Sequence, residues 1–417
     1  MNTTVAHIAR YTAAAMLLAA PVFVGGCSDD GTIAEPPQNE TPAAMTSVDS
    51  RVLNAGNEFG LNLFSLLYQD AQEDNLFVSP LSISMALGMT LNGAEGETKT
   101  AMQQTLAMHG MHSDDINAAY RMVMEILPVL DPSVNVGIAN SIWYREGFSV
   151  LPDFIAANKT YFDAEVQAMN FSIPSAAPLM NNWVSAKTNG KIESIIQPPI
   201  APDVVMYLIN AVYYKAMWAS PFDPDATREQ TFTLANGRTS SVQMMSKIDS
   251  LPYFENDLLS AVDVPYGEGA FTMTFILPKT SVSDVIEELS PHSWATWTSS
   301  MNVQEIELGI PRFTMRYEKE LRDVLSAMGM DAAFNPQSAD FSRISRQEQL
   351  AISKVKHKSF IEVNEEGTQA AAVTSVGIVG TSVPQYVRFV ADSPFLFAIR
   401  ERETGSILFL GIMMKPA

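Results

Sequence analysis

Apolar positions change their period several times along the chain, and each change predicts an element. Val52, Ala55, Phe59, Leu63, Leu66 and Leu67 recur at helical spacing, so the folded region opens with an amphipathic helix. Asn-Leu-Phe-Val-Ser-Pro-Leu-Ser over 75–82 reads as a short apolar strand, after which Ser79 can cap a helix and Pro80 can take its first position. That helix runs to Leu91 and is apolar almost all round (Ile83, Met85, Ala86, Leu87, Met89), as a buried core helix is. Further helices are predicted over 98–106, 151–162 behind Pro152, 181–196 with an interruption near Gly190, and 317–328. Strands are predicted over 135–144, 204–214, 271–277, 303–310 and 352–364, then over 386–390, 394–400 and 406–413 with a Glu403-Thr404-Gly405 turn between the last two. The stretch 204–214 is apolar on both faces, as in a central strand covered on each side. Asn210 sits alone in it and needs a partner, since an unpaired buried polar group costs about 1 to 3 kcal/mol. Helices and strands are mixed without βαβ regularity.

One stretch, Glu365 to Val383, differs from all of these. From Gly367 onward it holds no charged residue and no proline, is small at its start and becomes β-branched in its middle. Such a segment can join a β-sheet, because it buries no charge and lacks no ladder donor. As a strand it would place Thr368, Ala370, Ala372, Thr374, Val376 and Ile378 on one face and Gln369, Ala371, Val373, Ser375, Gly377 and Val379 on the other. Gly367 lets the backbone before it swing. The segment offers nothing for acid/base chemistry, so it points to a protein that works by moving a strand.

Composition narrows the partners. Hydrophobic residues make up 47% and charged residues 17%, a globular balance, and the net charge of −20 arises from 26 basic against 46 acidic residues. Nucleic acid and sulfated polysaccharide need clustered Lys and Arg, and no cluster occurs. Lys354, Lys356 and Lys358 alternate as a solvated face would, and 108–127 has no basic patch. At the N-terminus, Arg10 precedes an apolar run from Ala13 to Val24, too short to span a bilayer and of signal-peptide length. Val24-Gly25-Gly26-Cys27 resembles the bacterial lipobox and contains the chain's single cysteine. The expectation is a lipoprotein signal peptide over 1–26, a disordered acidic, proline-rich tether over 27–50 and a folded domain over 51–417. Lipid on Cys27 would hold the domain outside the cytoplasm, on the outer membrane, at the cell surface or in the periplasm. One cysteine allows no intramolecular disulfide.

Enzyme signatures are missing. Ser353-Lys354-Val355-Lys356 fits Ser-x-x-Lys, but the Ser-Asp-Asn and Lys-Thr-Gly partners of that hydrolase class are absent. There is no Gly-x-Ser-x-Gly, His-Glu-x-x-His or phosphate loop. His109 and His112 read as a solvated loop, and no metal or cofactor is expected. His357, inside a strong strand pattern, reads as a core histidine with Asn210 or a buried serine as its partner.

Several blocks in order carry a family resemblance over nearly all of 51–417. They are Ser79-Pro80-Leu81-Ser82-Ile83, Gly93-Ala94-Glu95-Gly96-Glu97-Thr98, Asn182-Trp183-Val184 with Thr188-Asn189-Gly190-Lys191-Ile192, and Leu208 to Lys215 through Trp218 and Phe222. Pro311-Arg312-Phe313 to Asp340-Phe341-Ser342 and Ala391 to Phe397 complete the set. The chain resembles a serpin of inhibitory type. The resemblance implies an α+β domain of three β-sheets and eight or nine helices with an exposed reactive-centre loop, and a monomer that traps a target serine protease in a covalent complex. The protease cuts the loop, which then inserts into the main sheet. Glu365, Glu366, Gly367, Thr368, Gln369, Ala370, Ala371, Ala372, Val373 and Thr374 would form the hinge, and an ungapped count puts the cut between Thr381 and Ser382. A small uncharged residue before the cut suits an elastase-like pocket. The resemblance also gives Ser79, Ser82, Asn210 and His357 the role of a hydrogen-bonded gate beneath the main sheet, and Trp218 the place where insertion begins. Without a basic patch, heparin-type activation is not expected. Alternatives are a non-inhibitory serpin acting as a binding or chaperone module, an inhibitor of cysteine proteases, and a Ser353/Lys356 hydrolase that lacks supporting groups.

Overall fold

The computed structural model describes residues 49–71, 74–368 and 386–416. The expected signal peptide, Cys27 and nearly all of the tether lie outside them, as do Gln369, Ala370, Ala371, Ala372, Val373, Thr374, Thr381 and Ser382.

The chain opens with α1 (Asp49–Asp70), β1 (Leu76–Val78), α2 (Pro80–Leu91), α3 (Gly96–Thr105) and α4 (Ser113–Ile126). Next come β2 (Asn135–Arg145), α5 (Pro152–Phe162), β3 (Glu165–Met169), α6 (Ala176–Lys187) and β4 (Met206–Met217). Four strands follow, β5 (Arg228–Thr233), β6 (Thr239–Glu255), β7 (Leu259–Tyr266) and β8 (Phe271–Pro278). The helices α7 (Val282–Glu288) and α8 (Pro291–Ser299) precede β9 (Asn302–Pro311) and β10 (Phe313–Glu320). A helical run over 322–334, α9, kinks at Gly329, where φ is 105°. The chain closes with β11 (Lys356–Val363), β12 (Gly367–Thr368), β13 (Val387–Val390), β14 (Phe395–Glu401) and β15 (Ile407–Met413).

The described strands form three sheets, in agreement with the α+β class expected. The first is nine-stranded, in the order β1-β15-β14-β8-β7-β6-β9-β13 with β5 also on β6; the second is β12-β4-β2-β3 and the third β10-β11. The main core lies between these sheets and the buried helix α2. Ser79 caps α2 by accepting the Ser82 N–H at 3.2 Å, Pro80 fills the first turn, and eleven of its twelve residues are buried. Phe77 on β1 stacks on Phe397 and Phe409 of β14 and β15, at 5.8 and 5.2 Å between ring centroids. Within the nine-stranded sheet Asp263, Thr274 and Arg400 form one buried group: Arg400 pairs with the Asp263 carboxylate, whose other oxygen accepts the Thr274 hydroxyl at 2.6 Å. A second, smaller core seats α6 on β2, β3 and β4 through Trp143, Met169, Met180, Val184 and Ile209.

Two expectations are corrected. The helix expected over 181–196 starts at Ala176 and stops at Lys187, because Asn189 and Gly190 adopt left-handed backbone (φ 48° and 77°). The following chain folds back instead, with the N–H groups of Ile195 and Ile196 both donating to Asn181 Oδ1 at 2.8 Å. The expected helix 317–328 begins as strand: Tyr317 pairs with Ser359 across β10 and β11, and helix starts only at Arg322. Strands β3, β5, β6 and β7 and helices α7 and α8 had no clear period in the sequence. Among the described residues no helix is long and apolar enough to cross a membrane.

Candidate functional site

β4 pairs with β2 along one edge, from Met206 opposite Tyr144 to Lys215 opposite Asn135. Among the described residues its other edge meets a strand only at the far end, where Met217 pairs with Gly367 and Ala216 with Thr368. Among the described residues β11 is likewise paired on one side only, with β10. The facing edges of β4 and β11 both line a cavity of about 430 Å³, and among the described residues no ladder joins them. Two facing strand edges with no ladder between them among the described residues form a template for one more strand. The expected covering of β4 on both faces is met, by the main core on one side and α6 on the other.

The floor of this slot is α2 and β1. The Ser79 N–H donates to His357 Nε2 at 3.1 Å and the Ser79 hydroxyl to Leu408 O at 2.8 Å, while Ser359 Oγ donates to Phe77 O. Burial pulls the His357 pKa down to about 4, so the ring is neutral at pH 7, as an Nε2 that accepts a hydrogen bond requires. Ser79, Ser82 and His357 therefore meet. Asn210 does not join them: its Nδ2 donates to Asn140 Oδ1 at 2.8 Å, and Asn140 donates in turn to Phe162 O at 2.8 Å. Asn210 Oδ1 is buried and has no partner among the described residues, although Asn210 lines the slot. Asn140 is the partner that the sequence left unidentified, and its position opposite Asn210 on β2 comes from strand register.

At the top of the slot sit Glu365 to Thr368, the described part of the expected hinge. Trp218 stacks on Tyr266 at 4.4 Å and 10° between planes, and its indole N–H donates to Asn364 O at 2.9 Å. Tyr266 shares a 2.7 Å hydrogen bond between its hydroxyl and that of Thr368, which is buried. The N–H groups of Trp218 and Phe222 donate to Glu366 O and Glu365 O at 2.9 and 2.8 Å. Gly367 has φ 146°, and a Cβ there would lie 2.2 Å from Ala216 O, so no other residue fits. Burial opposes the charge on Glu365, yet hydrogen bonds from Thr227 (2.6 Å) and Arg312 (2.5 Å) hold its carboxyl below the usual range. Tyr266, Arg312 and Thr227 had no sequence signal that linked them to the hinge. Elsewhere, Lys356 and Lys358 pair with Glu318 at 3.6 and 2.8 Å. Among the described residues no three His, Cys, Asp or Glu side chains converge as metal ligands.

Comparison with known proteins gives concordant matches. The family profile described as Serpin (serine protease inhibitor) fits residues 54–416. A serpin-like protein of Thermococcus kodakarensis is 36% identical over 95% of this chain and 96% of its own length. Glia-derived nexin of Rattus norvegicus is 32% identical over 87% of this chain and 92% of its own. The crystal structure of tengpin, a thermophilic serpin, in the native state superposes with a TM-score of 0.80 at 31% identity, covering 91% of this chain and 96% of that one.

Proposed function

Because this chain belongs to the serpin family, the serine protease inhibitors, we propose that it is a suicide-substrate inhibitor of elastase-like serine proteases. The observation that carries this reading is the slot between β4 and β11 with Gly367 and Thr368 seated at its top. In the proposed cycle the protease serine attacks the carbonyl carbon of Thr381, the Thr381–Ser382 amide breaks, and the segment beginning at Ser382 leaves as the amine. The protease remains esterified to the loop, which enters the slot before water can release it. Small, uncharged residues throughout the loop support fast entry, and Thr381 supports a small specificity pocket. Extending the register of β12 on β4 residue by residue would bring Thr374 opposite Asn210, with its hydroxyl towards the unpartnered Oδ1.

Mixing the full chain with pancreatic elastase should give a denaturant-resistant complex and release a C-terminal peptide whose mass starts at Ser382. Cleavage with no complex would sink the inhibitory reading. The apolar run ending in Cys27 supports a second element, a lipid tether outside the cytoplasm. Cys27→Ala should then move the protein from the membrane fraction to the soluble fraction.

A further inference from the structure

A second cavity, of about 640 Å³, shares no lining residue with the slot. Its walls come from the second half of α1, the end of α3, α7 and the kink in α9. Two hydrogen bonds fix these walls to one another. The hydroxyls of Tyr68 and Ser283 share a 2.9 Å bond between α1 and α7, and the Thr105 hydroxyl donates to Met328 O at 3.3 Å, between α3 and α9. Around Met328 the helix widens into a π-type turn over 326–330, and Gly329 supplies the left-handed residue at φ 105°. Turns of this type occur frequently at functional sites. Asn62, Ser65 and Gln69 stand three and four positions apart on α1 and form one stripe along this cavity. A helix stripe that faces neighbouring helices is ordinarily apolar, and this one is polar and uncharged. The side chains of Asn62, Gln69 and Gln104 have no partner among the described residues, whereas that of Gln103 is committed to Met111 O at 2.9 Å. Leu66, Leu289 and Met328 give the cavity an apolar part, and Glu287 is its one charged side chain among the described residues.

We propose that this cavity binds a neutral saccharide of one or two rings. A carboxamide presents an acceptor and two donors in one plane, which matches a pair of neighbouring sugar hydroxyls, each able to donate and to accept. Three such groups line the cavity with that capacity unspent among the described residues. Leu66, Leu289 and Met328 suit the C–H face of a pyranose ring. Small-molecule sites measure about 300 to 1,000 Å³ and are mostly apolar, so a cavity of this size with a polar lining points to a polar ligand. Phosphorylated, sulfated and carboxylate sugars are disfavoured, because an anion would meet the Glu287 carboxylate and no Lys or Arg among the lining residues. With no residue in common, the two sites can be filled together, so a glycan surface can hold the molecule while the slot stays open.

The test titrates the full chain, with no protease present, with maltose, cellobiose, lactose and N,N′-diacetylchitobiose, read by calorimetry and saturation-transfer NMR. At least one should saturate with a Kd of about 1 mM or tighter. Asn62→Ala and Gln69→Ala should each weaken that binding by about three- to tenfold, the loss of one or two hydrogen bonds. Neither should change the urea midpoint, since both positions are exposed on a helix and Ala is the best helix former. Gln230→Ala removes an exposed carboxamide on β5 and serves as the control; it should match wild type. Four disaccharides that all fail to saturate by about 20 mM overturn the proposal. So do Asn62→Ala and Gln69→Ala chains that bind like wild type, a Gln230→Ala chain weakened as much as they are, or tighter binding of glucose 6-phosphate or of the diamine putrescine. No outcome depends on whether the chain traps a protease, so the reading of the slot stands or falls separately.

Discussion

β14 and β4 are both long, well-covered strands, yet they end in opposite situations. β14 has a partner on each edge, β15 and β8, and every one of its residues is buried. Among the described residues β4 has a full partner on one edge and two residues' worth on the other. In the first region both strand edges are paired along nearly their whole length, and the chain has little left to gain. The second holds an edge that no further ladder covers among the described residues, an Asn210 Oδ1 with no partner among them, and two residues of a strand laid along its end. Unused hydrogen-bonding capacity beside a chain segment that can supply it is what lets a fold release free energy later instead of all at once.

If this contrast is right, damage to the nine-stranded sheet should weaken the intact and loop-cleaved forms alike, while changes at the slot should act on the intact form or on the passage between the two. The largest effect is expected for Asp263→Ala, which leaves Arg400 charged and buried without its partner. A loss of about 3 to 5 kcal/mol should appear in urea unfolding of both forms; a spared cleaved form would break the comparison. Acid comes next. With a folded pKa of about 4 against 6.5 when unfolded, His357 binds its proton more readily in the unfolded chain. Its contribution is fully present above pH 6.5 and is lost as pH falls towards 4, up to about 3 kcal/mol. Comparing urea midpoints of wild type and His357→Gln between pH 7 and pH 4.5 isolates this loss, and equal slopes would refute it.

Thr368→Val is expected to be milder. It removes the 2.7 Å bond to the buried Tyr266 hydroxyl, loosens the seated hinge by about 1 to 2 kcal/mol and should leave the unfolding of the cleaved sheet's β14 side unchanged in hydrogen exchange. Smallest is Thr374→Val, which deprives Asn210 of its incoming donor. A change of about 0.5 to 1 kcal/mol should raise the number of inhibitor molecules consumed per protease trapped by about two- to fivefold.

Much of the fold was legible because local chemistry and tertiary role agree. Ser79-Pro80 at the start of α2 and the all-round apolar helix behind it carry their meaning in a dozen residues. Where the two disagree, the period misleads. Tyr317 to Glu320 continues β10 because β11 is there to pair with it, not because its own pattern demands a strand. β7 hides Asp263 among apolar residues, and a buried charge breaks the alternation that would have revealed the strand. The strand character of Gly367 and Thr368 was readable from the uncharged run that begins there. The slot was not, since a strand with a free edge has the same composition as one without. Asn210 likewise announced that it needed a partner, but Asn140 lies 70 positions away and meets it only through the β2–β4 register.

Trp218 gives the molecule a built-in optical probe. The chain has five tryptophans, and this one lies against the ring of Tyr266 while its indole N–H is held by Asn364 O, three residues before Gly367. Its emission depends on that stacking and that hydrogen bond, both of which the seated hinge maintains. A stopped-flow trace of Trp218 fluorescence, with the other four tryptophans changed to Phe, would time rearrangement at Asn364 to Thr368 directly, with no label attached to the chain.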